Sequence, residues 1–328
     1  MQLRLSAKVC GLIFAAVSIF SLPLFVQAND KDAVNKLRDM SVAMRSLNYE
    51  GTFVQIRNGH TDLLHILHAY DESGNSERMR SLNGEAREVI RNNSTVVRIW
   101  PSSGDVLVSS SKPFSLNAQS AEPFETSSNY TIVSGGEERV AGIETDVIDV
   151  QPVDDFRYGY RFWVDQDTGM MLRSMVMSSE NQRVEELMFT SIEYLDEIDA
   201  TRFGINIDAE STEQGHDKPS DGSVSVVDKV RFEDLPIGFE ERSESLRMVA
   251  VRKDAPISHS VVSDGFSTVS VYVEYIERAS HDSSALGLTH MGAVSAFGLS
   301  LPNALVTVVG EAPGKTVEMI ARAARLVN

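Results

Sequence analysis

The residues with the types and spacing for nucleotide chemistry lie near the C-terminus. Leu305-Val-Thr-Val-Val-Gly310-Glu-Ala-Pro313-Gly314-Lys315-Thr316 runs from an apolar strand through a glycine turn into an amphipathic segment, the setting of a phosphate-binding loop. Such a loop needs four residues between its first glycine and the Gly-Lys-Thr, so that successive N–H groups can curl around the phosphates. Three stand here, and Pro313 removes one of the donors. The segment therefore reads as strand, turn and helix. Thr316 is placed to cap the helix, and Val317, Ile320, Ala321, Ala324 and Val327 fall on one face opposite Glu318, Arg322 and Arg325.

Other candidates for chemistry weaken on the same kind of inspection. Asp165-Gln-Asp167-Thr-Gly169 begins like a calcium loop, but its glycine comes one position early and Val176 stands where the bidentate Glu belongs. His60, His65 and His68 cluster in sequence, yet His65 and His68 point to opposite faces of a strand. The acid pairs Asp154-Asp155 and Glu185-Glu186 diverge for the same reason and read as solvated turn or edge charges. No G-x-S-x-G elbow and no H-E-x-x-H occurs. The sequence thus points away from an enzyme and implies no catalytic residue, metal or cofactor.

Two sets of residues suit binding instead. Phe53, Leu64, Ile66, Trp100, Trp163, Met171, Met175 and Met177 lie on expected strands and include the flexible, polarizable methionines that tolerate varied apolar ligands. They read either as core filling or as the lining of a groove for acyl chains or an apolar peptide. Arg78, Arg80, Arg87 and Arg91 stand in a locally basic stretch of an acidic chain, and their forks suit phosphate or carboxylate. Alternating outward arginines that solubilise edge strands are the competing reading.

The elements that must position these residues follow from periodicity. Ala33, Leu37, Met40, Met44 and Leu47 mark one amphipathic helix. Short extended segments follow at Tyr49–Arg57, Leu63–Tyr70, Ser76–Ser81, Ala86–Ile90, Thr95–Trp100 and Val106–Ser109, most of them separated by glycine-containing turns. After a looser stretch from Pro113 to Ser128, strands resume at Tyr130–Ser134, Glu144–Val150, Tyr158–Val164, Met171–Met177 and Val184–Tyr194. The polar run 208–228 reads as a linker, and a second domain follows with an Asp264-Gly265 hairpin turn.

Arg4 and Lys8, the apolar run Val9–Val26 and the small-residue site ending at Ala28 form a secretory leader, so the expected boundaries are a signal peptide at 1–28, a first domain at 29–207, a linker at 208–228 and a second domain at 229–328. Cys10, the one cysteine, lies in the leader. A chain beginning at Asn29 has no thiol chemistry, and losing Arg4 and Lys8 takes its net charge from −17 to −19. Nucleic acid and anionic membrane are poor partners for such a surface. A Gram-negative periplasm is the expected destination.

Several of these blocks carry a resemblance. Tyr49-Glu-Gly-Thr-Phe53 after the first helix, Phe162-Trp-Val-Asp165 to Gly169-Met-Met-Leu-Arg173, Ser263-Asp-Gly-Phe-Ser-Thr-Val-Ser-Val-Tyr-Val-Glu274, Gly292-Ala-Val and Val306-Thr-Val-Val-Gly-Glu-Ala-Pro313 resemble the RseB/MucB proteins, periplasmic negative regulators of the sigma-E envelope-stress response. The first-domain hairpin is shared more loosely with the LolA and LolB lipoprotein carriers. The resemblance implies an α+β protein: a LolA/LolB-like incomplete antiparallel β-barrel covered by helices, then a smaller α+β domain with an antiparallel sheet and a terminal helix. It implies as partner the periplasmic domain of an RseA/MucA-like anti-sigma factor, shielded from proteolysis and released by lipopolysaccharide or a lipoprotein acyl ligand. A carrier of the LolA/LolB type is the alternative, and it leaves the C-terminal hundred residues without a purpose.

Overall fold

The computed structural model describes residues 30–72, 74–110, 128–204, 229–242, 257–275 and 287–327. The expected linker lies outside them, as does nearly all of the Pro113–Ser128 stretch.

Helix α1 (Lys31–Ser46) forms where the four-three spacing requires it. Asp30 caps it by accepting a hydrogen bond from the Asp32 N–H at 3.0 Å, and its own N–H donates to the Ile132 carbonyl at 2.9 Å. Ala33, Leu37 and Met40 are buried on the sheet that follows, against Ile132, Ile148, Phe162 and Val164.

That sheet holds eleven strands in sequence order: β1 (Tyr49–Arg57), β2 (His60–Asp71), β3 (Gly74–Ser81), β4 (Glu88–Asn92), β5 (Thr95–Trp100), β6 (Asp105–Ser110), β7 (Tyr130–Val140), β8 (Ile143–Pro152), β9 (Gly159–Asp165), β10 (Met171–Met177) and β11 (Arg183–Tyr194). Their spatial order is β6-β5-β4-β3-β2-β1-β11-β10-β9-β8-β7, all neighbours antiparallel. The chain thus meanders outward from β1, then returns to pair β11 with β1. The barrel is incomplete, because β6 and β7 do not pair. A register break at Ser134/Gly136 bends β7, which reaches back to touch β11, and Glu138 accepts a hydrogen bond from Trp163 Nε1 at 2.8 Å. Where several helices were expected over this sheet, α1 is the α-helix among its described residues.

The second domain comprises β12 (Lys229–Phe232), β13 (Glu240–Glu241), β14 (Ile257–Ser263), β15 (Thr268–Tyr275), β16 (Gly287–Met291), β17 (Val294–Leu301), β18 (Ala304–Glu311), α2 (Gly314–Ala323) and β19 (Ala324–Val327). Six strands pair in the order β13-β14-β15-β18-β17-β16, and β12 pairs with β19. Val269, Val271 and Val273 on β15 and Val306 and Val308 on β18 alternate inward with no exposed surface, beneath Val317, Ile320 and Ala321 of α2. The helix differs from expectation at both ends. It begins at Gly314 with Pro313 in the cap position, so Thr316 is inside the first turn and is not the N-cap. It ends at Ala323, because Ala324–Val327 satisfies its backbone by pairing with β12.

Candidate functional site at the domain junction

Neither domain is independent of the other. Arg157, in the loop from β8 to β9, has no exposed surface. Its Nε donates to Asp264 Oδ2 at 2.6 Å and its Nη1 to Asp154 Oδ2 at 2.5 Å, and Nη2 donates to the Ile237 carbonyl. The guanidinium also lies 4.9 Å from the Phe239 ring centroid. A buried charge of this kind persists only if paired and hydrogen-bonded, and here every nitrogen is engaged. Asp264 explains the other half. Its Oδ1 accepts the N–H groups of Phe266 and Ser267 at 3.0 and 2.7 Å, closing the turn in which Gly265 takes a positive φ of 95°, while Oδ2 also accepts from the Tyr130 hydroxyl at 3.1 Å. Burial, and then the Asp264 charge, push the Tyr130 hydroxyl well above its ordinary pKa.

The turn so closed drives Phe266 into the first domain, 4.5 Å from the Tyr160 ring centroid and 5.2 Å from that of Tyr130. Ala293, in the β16–β17 turn, is buried in the same apolar cluster beneath α1. Its N–H donates to Glu185 Oε2 at 3.2 Å, and Glu185 Oε1 accepts from Gln55 Nε2 at 2.6 Å. Gly292 is required beside it: its φ is +62°, and a Cβ would stand 2.5 Å from Glu185 Oε2. At the start of α2, the Thr316 hydroxyl donates to the Phe156 carbonyl at 2.7 Å. Lys315 pairs with Asp155 and lies 4.7 Å from the Phe156 ring centroid. The Lys315 hydrogen bond holds Asp155 below its ordinary pKa.

Next to these contacts lies a cleft of about 790 Å³ walled by both domains. Arg57 and Arg183, at strand ends, and Asn58 and Ser179, in the adjoining turns, line it from the first domain, and Leu288, His290 and Lys315 from the second. Leu288 is 45% exposed, on an edge strand whose five residues are all exposed.

The residues singled out as an apolar groove are not one open surface. Phe53, Ile66 and Trp163 are buried in a single cluster with Tyr49, Leu172 and Phe189, and Leu64 and Met175 are packed against it, partly buried. Met171 belongs to the other cluster, beneath α1, since the register breaks between Met171 and Arg173. Trp100 and Met177 are half-buried outside both clusters. The arginines do not converge either. Arg78 pairs with Glu88 and donates to the Arg202 carbonyl at 2.7 Å, and Arg87 lies 4.0 Å from Asp62. Arg91 faces Glu77 across the sheet, on the opposite side from Arg78 and exposed Arg80.

Several charged residues serve differently from expectation. Asp154 and Glu185 are part-buried junction groups, not solvated turn or edge charges, whereas Asp155 is the exposed turn charge expected, though it pairs with Lys315. Glu186 is also no edge charge: it is 4% exposed and bridges Arg173 and Arg183. In the calcium-like turn, burial raises the Asp165 pKa, yet hydrogen bonds from Tyr194 at 2.6 Å and Thr168 at 2.7 Å hold it below the ordinary carboxylate range. That carboxylate is occupied in fixing the hairpin. Sequence reasoning missed Arg157 altogether and read Asp264 only as a turn residue. The signal available was the Asp264-Gly265 pair itself, since the arginine that meets it is 107 residues away.

Fold and junction define a two-domain, mostly β protein with an open, helix-backed sheet locked to a second sheet and a cleft shared between them. Family comparison agrees with that division. The MucB/RseB N-terminal domain matches residues 32–207 and the MucB/RseB C-terminal domain residues 203–325. The chain belongs to the MucB/RseB family. The sigma factor AlgU regulatory protein MucB of Pseudomonas aeruginosa is 29% identical, over 97% of this chain and 98% of its own. The sigma-E factor regulatory protein RseB of Escherichia coli K12 is 27% identical, over 87% of this chain and 88% of its own. The solved complex of Pseudomonas aeruginosa MucA/MucB superposes with a TM-score of 0.67 at 28% identity, covering 90% of this chain and 99% of that one. A second structure, MucB with MucA(peri), gives 0.64 at 27% identity, covering 90% of this chain and all of that one.

Proposed function

We propose that this protein is exported to the periplasm by a leader cleaved after Ala28, binds the periplasmic domain of a membrane anti-sigma factor there, and shields it from the protease that would begin its destruction. The observation that carries this reading is likeness across both domains to a protein solved with MucA bound, together with a cleft to which both domains contribute walls. Such a role needs differential binding and no chemistry. The boundaries expected from the sequence, with the linker at 208–228, are kept as part of this proposal.

Release by a lipid-type signal completes the proposal. The site assigned to an acyl chain, from lipopolysaccharide or a lipoprotein, is the apolar cluster entered past partly buried Leu64 and Met175, where a flexible methionine can make way. Filling that cluster would bias the junction, which adjoins the same sheet, and a coupling of roughly 1–3 kcal/mol would change partner affinity about 5–150-fold. Arg78 and Arg80, on one face of β3, are the candidates for an anionic headgroup. A carrier of the LolA/LolB type would need this cluster open and would have no use for the second domain docked beside it.

The direct test is proteolysis of the purified anti-sigma periplasmic domain with and without the mature protein. Protection at saturating protein, lost on adding lipopolysaccharide, is expected. Cleavage at the unprotected rate would remove the proposal.

A further inference from the structure

We propose that Glu311 and Glu185 form a proton-operated latch between the domains, which dock tightly while the pair holds one proton and loosen when both carboxyls are charged. The placement of the two residues carries this. Glu185, on β11, presents its carboxylate to the second domain, where Oε2 accepts the Ala293 N–H. The next residue, Val294, is the register partner of Glu311 at the end of β18. Glu311 cannot withdraw, because its carbonyl accepts the Ser267 hydroxyl at 2.6 Å and Ala312, immediately after it, is 1% exposed.

The surroundings offer little to a second negative charge. From β9 and the residue before it, Tyr160 and Tyr158 face the pair as neutral groups; the buried Tyr160 hydroxyl favours the Glu311 charge, but by less than burial and Glu185 oppose it. The cations of neighbouring elements are committed elsewhere. Arg57 on β1 turns to Asp62 at 3.4 Å, and Arg183 on β11 to Glu186 at 2.6 Å. Lys315 on α2 holds Asp155, and Arg157 is divided between Asp154 and Asp264. His290 of β16 lines the adjoining cleft. Burial, and then the Glu185 charge, raise the Glu311 pKa from 4.5 to about 7, as expected when one partly buried carboxyl lies near another.

The sign follows from that direction. A carboxyl that gains a higher pKa on docking binds its proton more strongly in the docked state, so docking is favoured below the docked value of about 7 and the gain is lost as pH rises through it. With 4.5 for the undocked group, the docking constant should rise about tenfold between pH 8.5 and pH 6. Both domains wall the cleft, so the proton is felt there as well.

A chain beginning at Asn29 has no cysteine, which allows spin labels at Val42→Cys on α1 and Thr289→Cys on β16, both exposed positions. Inter-label distances would be measured in urea just below global unfolding, at pH 6 and pH 8.5, without any partner, so the outcome is independent of the proposed regulatory role. The expected result is a ratio of docked to undocked populations about tenfold higher at pH 6. Glu311→Gln should hold one ratio at both pH values. Equal ratios in wild type, or a wild-type response in Glu311→Gln, would overturn the latch. Should that variant fail to fold, Glu185→Gln must move the midpoint of the response to lower pH, and an unmoved midpoint is equally fatal.

Discussion

The interior beneath α1 and the junction between the domains are built on opposite principles. The first is apolar: Leu37 and Ile132 have no exposed surface and Phe162 3%, and shape and area hold them together. The second reaches into that interior through Phe266 and Ala293 but is held chiefly by a chain of buried polar contacts, in which Arg157 and the Asp264 side chain have no exposure and each would be costly alone. The difference teaches where the molecule can change state. An apolar core loses stability in proportion to what is removed, whereas a paired polar junction depends on every member and on proton count.

The largest effect should come from Arg157→Ala, which strands Asp264 and the Ile237 carbonyl. A loss of about 3–5 kcal/mol is expected in urea unfolding, with the domains ceasing to unfold together. Leu37→Ala removes packing only and should cost about 3 kcal/mol in the same experiment, leaving the unfolding of the two domains coupled. If Leu37→Ala also separated the domains, the distinction between the two regions would fail. Raising pH from 6 to 8.5 should come next, weakening docking about tenfold through Glu311 and leaving the apolar core unaffected. Thr316→Val deletes the bond to the Phe156 carbonyl and should cost about 1 kcal/mol by thermal melting. Lys315→Ala comes last. Its pair with Asp155 is open to solvent, with side chains 41% and 61% exposed, so melting should match wild type within repeat error. A severe loss there would reopen a nucleotide role for Gly314-Lys315-Thr316.

The same contrast explains what could be read from the chain. Periodicity is a local property, so Tyr49–Arg57, Thr95–Trp100 and Met171–Met177 fall at their expected boundaries and α1 holds its apolar spacing. Boundaries slipped where distant pairing intervened. The last helix stops at Ala323 because β12, nearly a hundred residues earlier, takes up the following backbone. The apolar list was a sound selection of strand residues, but alternation and one register break divided it between two clusters. The junction was illegible for a plainer reason. Arg157 meets Asp264, and Glu185 meets the Ala293 N–H, across more than a hundred positions each, and single charges carry no period. Reading Asp154 and Asp155 as solvated turn charges holds for Asp155, which is 61% exposed, but missed the partners that folding brings to both.

Recognition of the anti-sigma partner is proposed to need both domains in their docked arrangement. Calorimetric titration of its purified periplasmic domain into wild type and into Arg157→Ala, with the variant's sheet content checked by circular dichroism, addresses this most directly. Binding to wild type with at least a tenfold weaker affinity for the variant is the expected result. Equal affinities, with the variant's domains shown to be undocked, would contradict it.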